Sequence, residues 1–150
     1  MLQVLTPVPG SAVAMSEVPD PVFAQGMVGP GAAVRPAAGQ QEAVAPVGGR
    51  VIKLHPHAFM VLAEGSHAVL VHLGIDTVKL DGEGFEKLVE EGVQVEAGTP
   101  MIRWNPSGIE AQGLSAVVPV VALEADPDAV AVTAPATGEV ASGDTLFSWA

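Results

Sequence analysis

Glycine and proline punctuate this chain from end to end, and that spacing limits what it can fold into. Proline fixes φ and removes a backbone donor, while glycine lets the chain reverse. The apolar runs between them are short and rich in valine. Such runs suit short strands joined by tight turns and leave little room for helix. One turn–strand pattern occurs three times, at Thr6-Pro7-Val8-Pro9-Gly10, at Ala45-Pro46-Val47-Gly48-Gly49-Arg50-Val51 and at Ala134-Pro135-Ala136-Thr137-Gly138-Glu139-Val140. A second pattern relates Val95-Glu96-Ala97-Gly98-Thr99-Pro100-Met101-Ile102 to Val140-Ala141-Ser142-Gly143-Asp144-Thr145-Leu146-Phe147. Repeated units of this kind predict an all-β antiparallel sandwich or flattened barrel built from related halves. Helix is expected only over Gly84 to Glu91, where Phe85, Leu88 and Val89 fall at helical spacing, and as a turn over Ile109 to Leu114. Gly39 to Glu42 is polar and reads as a loop. No linker divides the chain, so residues 1–150 are expected to form a single domain.

Composition narrows the function. Nearly half the residues are apolar, which argues against disorder and for a core. The net charge is −11, with no Lys/Arg cluster to meet a nucleic-acid backbone or an acidic membrane surface. A basic protein partner is compatible with that charge. There are no cysteines, which excludes a disulfide framework and thiolate chemistry. No signal peptide or membrane-length apolar run is evident, so a soluble cytoplasmic protein is expected. No Walker motif is present, which argues against a nucleotide as phosphoryl donor.

The chemistry concentrates in one predicted hairpin. Leu54 to Leu62 and Ala68 to His72 flank a polar turn containing Gly65. A two-residue Glu64-Gly65 turn sets His57 opposite His72. A four-residue loop, Glu64 to His67, sets His57 opposite Gly74 and diagonal to His72. Either register puts both histidines on one face, with Phe59, Val61, Ala68 and Leu70; a three- or five-residue loop would break that inference. Paired imidazoles on an apolar sheet are expected to be functional, because polar groups in such settings need a reason. Gly74 and Asp76 follow at once. Glycine can expose N–H groups to phosphate oxygens, and a carboxylate can fix an imidazole tautomer.

At this point the sequence resembles a known family. Val71-His72-Leu73-Gly74-Ile75-Asp76-Thr77-Val78 with Gly82-Glu83-Gly84-Phe85 resembles the signature of glucose-type enzyme IIA of the sugar phosphotransferase system. His57-Ala58-Phe59 resembles its second histidine motif, and Val18-Pro19-Asp20-Pro21-Val22-Phe23-Ala24 with Met27-Val28-Gly29 resembles its N-terminal one. The resemblance implies that His72 accepts a phosphoryl group from the histidine-containing phosphocarrier protein. The group would then pass to a cysteine on the IIB domain of a sugar permease. It implies that His57 is the supporting histidine and that Phe23, Met27 and Val28 help dock partners. It also admits regulatory targets of the unphosphorylated form. One departure is His55, which stands where the family often has a small polar residue.

Two other readings compete. His55-Pro56-His57 and His72 with Asp76 resemble zinc-peptidase motifs, so a zinc hydrolase using His57, His72 and Asp76 is the alternative. No metal is obligatory for the carrier, although facing His57 and His72 could bind a regulatory zinc. A lipoyl- or biotin-type carrier would need a lysine at a hairpin tip, and Lys53, Lys79 and Lys87 do not occupy one. Trp104 and Trp149 read as packing residues with the indole N–H near the surface. His67 reads as solvated, and Glu90-Glu91 as a solvated helix end.

Overall fold

The computed structural model describes residues 1–134 and 138–150. Pro135, Ala136 and Thr137, in the third turn–strand copy, lie outside the described residues. The first half of the chain contributes β1 (Leu2–Leu5), β2 (Gly10–Ala14), the one-turn helix α1 (Pro21–Ala24), β3 (Gly31–Pro36), β4 (Gln41–Val44), β5 (Gly49–His55), β6 (Ala58–Ala63) and β7 (His67–His72). The second half contributes β8 (Phe85–Lys87), β9 (Gln94–Val95), β10 (Pro100–Trp104), α2 (Pro106–Ala111), β11 (Val118–Ala122), β12 (Val130–Val132), β13 (Glu139–Val140) and β14 (Thr145–Trp149). The all-β antiparallel expectation is met.

The strands form an eight-stranded sheet in the order β13-β2-β3-β11-β7-β6-β5-β9, with two three-stranded sheets, β1-β14-β12 and β4-β10-β8. That order is symmetric about the β11–β7 pair, and the hydrogen bonds repeat the symmetry. Leu5 N–H donates to Pro46 O and Val44 N–H to Pro7 O, both at 2.9 Å. Thr6 N–H donates to Asp144 O at 2.7 Å, and Ala45 N–H to Thr99 O at 2.9 Å. The repeated turns noted in the sequence are therefore two halves related by a pseudo-two-fold axis. Gly10 and Gly49 occupy matching positions, at φ +152° and +157°. A Cβ would lie 1.9 Å from Arg35 O at Gly10 and 2.1 Å from Leu62 O at Gly49, so no larger residue fits.

The main core joins all three sheets and includes Val4, Val51, Phe59, Val71, Ile102, Trp104 and Phe147. A smaller cluster lies on the other face of the large sheet. There Val18 and Phe23, from the segment between β2 and β3, cover Val13, Ala33, Val117 and Val121. Together the clusters bury β11 on both faces, which suits its unbroken apolar run.

Several local expectations fail for physical reasons. Gly84 to Glu91 contains strand β8 rather than helix, with Phe85 opposite Trp104 and their rings stacked at 6.2 Å. Two turns of weak helical spacing cannot outweigh that pairing. Gln41 and Glu42 open β4 instead of a loop. Arg103 on β10 bridges Glu42 at 2.9 Å and Glu86 at 3.1 Å, tying three strands together. Helix α2 starts earlier than expected, at an Asn105 cap that accepts from Ser107 N–H, with Pro106 in the first turn. Trp104 is fully buried, and its indole N–H has no partner among the described residues. His67 is not freely solvated. Its ring packs on Trp149 at 4.1 Å, with Nδ1 2.9 Å from Gly65 O. Glu91 is no helix end; it accepts a hydrogen bond from Leu54 N–H at 3.0 Å.

Candidate functional site

His72 is the last residue of β7, where that strand leaves the sheet. The β7–β11 ladder ends at Val71↔Val120. Continuing the register, His72 stands opposite Pro119, which has no N–H to donate. The chain then turns through Gly74, at φ +83°. Gly74 N–H donates to Val117 O at 3.1 Å, Ile75 N–H to Ser115 O at 2.9 Å, and the buried Thr77 hydroxyl to Leu73 O at 2.8 Å. A Cβ on Gly74 would lie 2.7 Å from Thr77 Cγ2 and 2.9 Å from Ser115 O. The turn is thus pinned on all sides, and it aims the Gly74 carbonyl at His72 Nδ1.

That contact assigns the tautomer. A carbonyl only accepts, so Nδ1 carries the proton. Burial pushes the His72 pKa below its ordinary value, against the raising effects of the Gly74 hydrogen bond and the Asp20 and Asp76 charges. The ring is therefore neutral near pH 7, and Nε2 is a bare nucleophilic nitrogen. The Gly74 N–H is already used by Val117, so it is not free to hold a phosphate oxygen as the sequence suggested. The tautomer is fixed by the Gly74 carbonyl and not by Asp76. Asp76 is exposed, at φ +61°, and acts on His72 through its charge.

His57 meets His72 by a route other than the expected register. The β6–β7 loop is three residues, Glu64–Ser66, with Gly65 and Ser66 both at positive φ. Ala63 pairs with His67 and Ala58 with His72. Phe59 and Val61 therefore face the main core with Val71 and Val69, not the face that carries His72. Pro56 ends the first strand early, so His57 lies in a two-residue Pro56-His57 turn between β5 and β6. Freed from strand alternation, its ring lies 5.1 Å from that of His72, at 73°. Leu73 N–H donates to His57 O at 2.7 Å and holds the corner against β7. Burial first, then the neighbouring His72 and His55, lower the His57 pKa to about 4. The exposed His55 ring stacks on His57 at 5.8 Å and 25°.

On the other side, Phe23 packs 5.4 Å from the His72 ring. It is held by α1, whose cap Asp20 accepts from Val22 N–H at 2.9 Å. Asp20 escaped the sequence reading as a site residue, although an Asp-Pro pair is a recognisable helix start. Val28 is half-buried against the smaller cluster, and Met27, Val22 and Val78 are exposed. Met27 and Val28 line a hollow with Met60, Ser66 and Ala68, near the start of β7 rather than at its His72 end. His57 and His72 offer two nitrogens to a metal. Among the described residues no three His, Cys, Asp or Glu side chains form a metal-binding group, so the hydrolase with Asp76 as third ligand has no support. No described helix is long and apolar enough to cross a membrane.

The chain and its sheet architecture have counterparts among known proteins. The family model for the phosphoenolpyruvate-dependent sugar phosphotransferase system, EIIA 1, matches residues 2–128. A glucose-specific EIIA component from Staphylococcus aureus (strain MSSA476) is 41% identical over 127 residues, covering 83% of this chain and 75% of that one. The N-acetylglucosamine-specific EIICBA component of Escherichia coli (strain K12) is 38% identical over 145 residues, 95% of this chain but 22% of that longer protein. In three dimensions, the glucose permease IIA from Mycoplasma capricolum matches with a TM-score of 0.87 and 31% identity, covering 97% of this chain and 94% of that one. The chain belongs to the EIIA 1 family of the sugar phosphotransferase system. Within that family it is a glucose-type EIIA, a phosphotransferase component and phosphoryl carrier in sugar uptake.

Proposed function

We propose that His72 Nε2 is the atom that carries the phosphoryl group. The donor is the phosphorylated histidine of the histidine-containing phosphocarrier protein, and the acceptor is the cysteine of a IIB domain of a sugar permease. In the first step the donor's N–P bond breaks as the bond to His72 Nε2 forms. In the second that bond breaks, and the phosphoryl group moves to the cysteine sulfur. Such transfers depend on positioning and charge stabilisation more than on covalent chemistry. The observation that carries this reading is the Gly74 carbonyl on His72 Nδ1, which leaves Nε2 bare in a neutral ring.

His57 supports the transfer by donating a hydrogen bond to the phosphoryl oxygens from its place beside His72. Phe23, Met27, Val28 and the exposed Val22 and Val78 form the docking surface, and Phe23 beside His72 also keeps water away from the labile bond. Residues 1–150 act as one domain, in the cytoplasm, with no obligatory cofactor. The EIICBA relatives join an A component to B and C components by name, which supports a IIB partner.

The test is reconstituted phosphorylation from phosphoenolpyruvate, enzyme I and the phosphocarrier protein, read by intact mass. One acid-labile phosphoryl adduct is expected on the wild type and none on His72→Ala. A wild type that stays unmodified beside active upstream proteins contradicts the reading.

A further inference from the structure

His72 is oriented by a hydrogen bond to Gly74, and His67 by one to Gly65. His57 differs: among the described residues no hydrogen bond reaches either of its ring nitrogens. Its ring must nevertheless be held, because a swinging donor would lose much of the advantage of a fixed one. Among the described residues, the neighbouring ring of His55 offers a flat surface for that purpose. The His55 ring lies nearly parallel to His57, at 5.8 Å and 25°, while the His57 and His72 rings stand 5.1 Å apart at 73°.

The backbone makes this arrangement rigid. Pro56 sits between the two histidines and fixes its own φ. Its ring packs closely over Gly82, where a Cβ would come within 3.2 Å of Pro56 Cγ. His55 pairs with Ala58 at the end of the β5–β6 ladder, and His57 O accepts from Leu73 N–H. Both ends of the turn are therefore tied down, and the two rings stand side by side on one short, stiffened corner.

Resting on the carrier reading above, we propose that His55 is a positioning residue for phosphoryl transfer, its ring stacking on His57 to hold that imidazole toward the phosphoryl group on His72. It acts through shape, with no contact to the transferred group. A flat ring without titratable nitrogens should therefore replace it, whereas a small side chain should not.

The experiment measures the rate of phosphoryl transfer from the phosphorylated phosphocarrier protein, and onward to a IIB domain. The proteins are wild type, His55→Ala, His55→Phe, His57→Ala and the double variant His55→Ala/His57→Ala. His55→Ala should slow onward transfer about tenfold, and His55→Phe should stay within about twofold of wild type. The double variant should be no slower than His57→Ala alone, since the effect passes through His57. His55→Ala at the wild-type rate, a slow His55→Phe, or further slowing in the double variant would each overturn the proposal. Failure of the wild type itself to take up phosphate would instead remove the carrier reading, so the two failures are separable.

Discussion

The two pseudo-symmetric halves differ most at one pair of corners. Between β5 and β6 the chain reverses through Pro56-His57 alone. At the related corner it leaves β2 after Ala14 and re-enters the sheet at Gly31, having formed a 3-10 turn and α1 on the way. The tight corner delivers an imidazole to His72. The long one delivers an apolar cover, Phe23 and Val18, and the carboxylate of Asp20. β7 and β11 run between them, so His72 at the end of β7 is met from both sides. A duplicated scaffold has thus been made asymmetric at its corners, with an imidazole placed by one and an apolar cover by the other.

That division can be broken by experiment. Phe23→Ala should destabilise the protein by about 3 kcal/mol, seen as a lower urea midpoint, because it empties the centre of the smaller cluster. It should also raise the His72 pKa by exposing the ring, visible in an NMR titration. His57→Ala should do the reverse. Its onward transfer should fall about a hundredfold, the cost of losing one preorganised donor, with little change in the urea midpoint. If both variants lose stability and transfer alike, the corners do not have separate roles. Gly74→Ala is expected to cost about 2 kcal/mol, since an alanine there must adopt positive φ against Ser115 O.

The smallest expected effect is in pH. His57 and His72 both have folded pKa values below the ordinary 6.5. Below pH 6.5 the unfolded chain therefore binds more protons than the folded one. Stability should be level above pH 6.5 and decline as pH falls from there toward about 4, the folded His57 value. Urea midpoints at pH 7 and pH 5 check this, and His57→Ala should show a shallower decline.

Much of this was legible in the sequence, for identifiable reasons. The turn repeats at Thr6 and Ala45 signalled the two halves because Pro and Gly fix local geometry without help from distant contacts. His57 and His72 were paired correctly, but by a register argument that fails. The Glu64–Ser66 loop has an odd length, since both Gly65 and Ser66 take left-handed conformations, and non-glycine residues seldom do. Pro56 carried the true signal: it breaks the run from Leu54 to Leu62 and places His57 in a turn. The β8 strand was missed because its stability comes from Trp104 and Arg103 on a partner far along the chain. Likewise the Gly74 carbonyl could not be assigned to His72 without knowing that Val117 and Ser115 take the adjacent N–H groups.

The Gly74 carbonyl fixes the His72 tautomer and, on the carrier function proposed above, so decides which nitrogen takes the phosphoryl group. Phosphorus–nitrogen couplings in the 15N-labelled phosphoprotein report that atom directly. A phosphoryl group on Nε2 of His72, with Nδ1 still protonated, is the expected result. A phosphoryl group on Nδ1, or on another histidine, would contradict it.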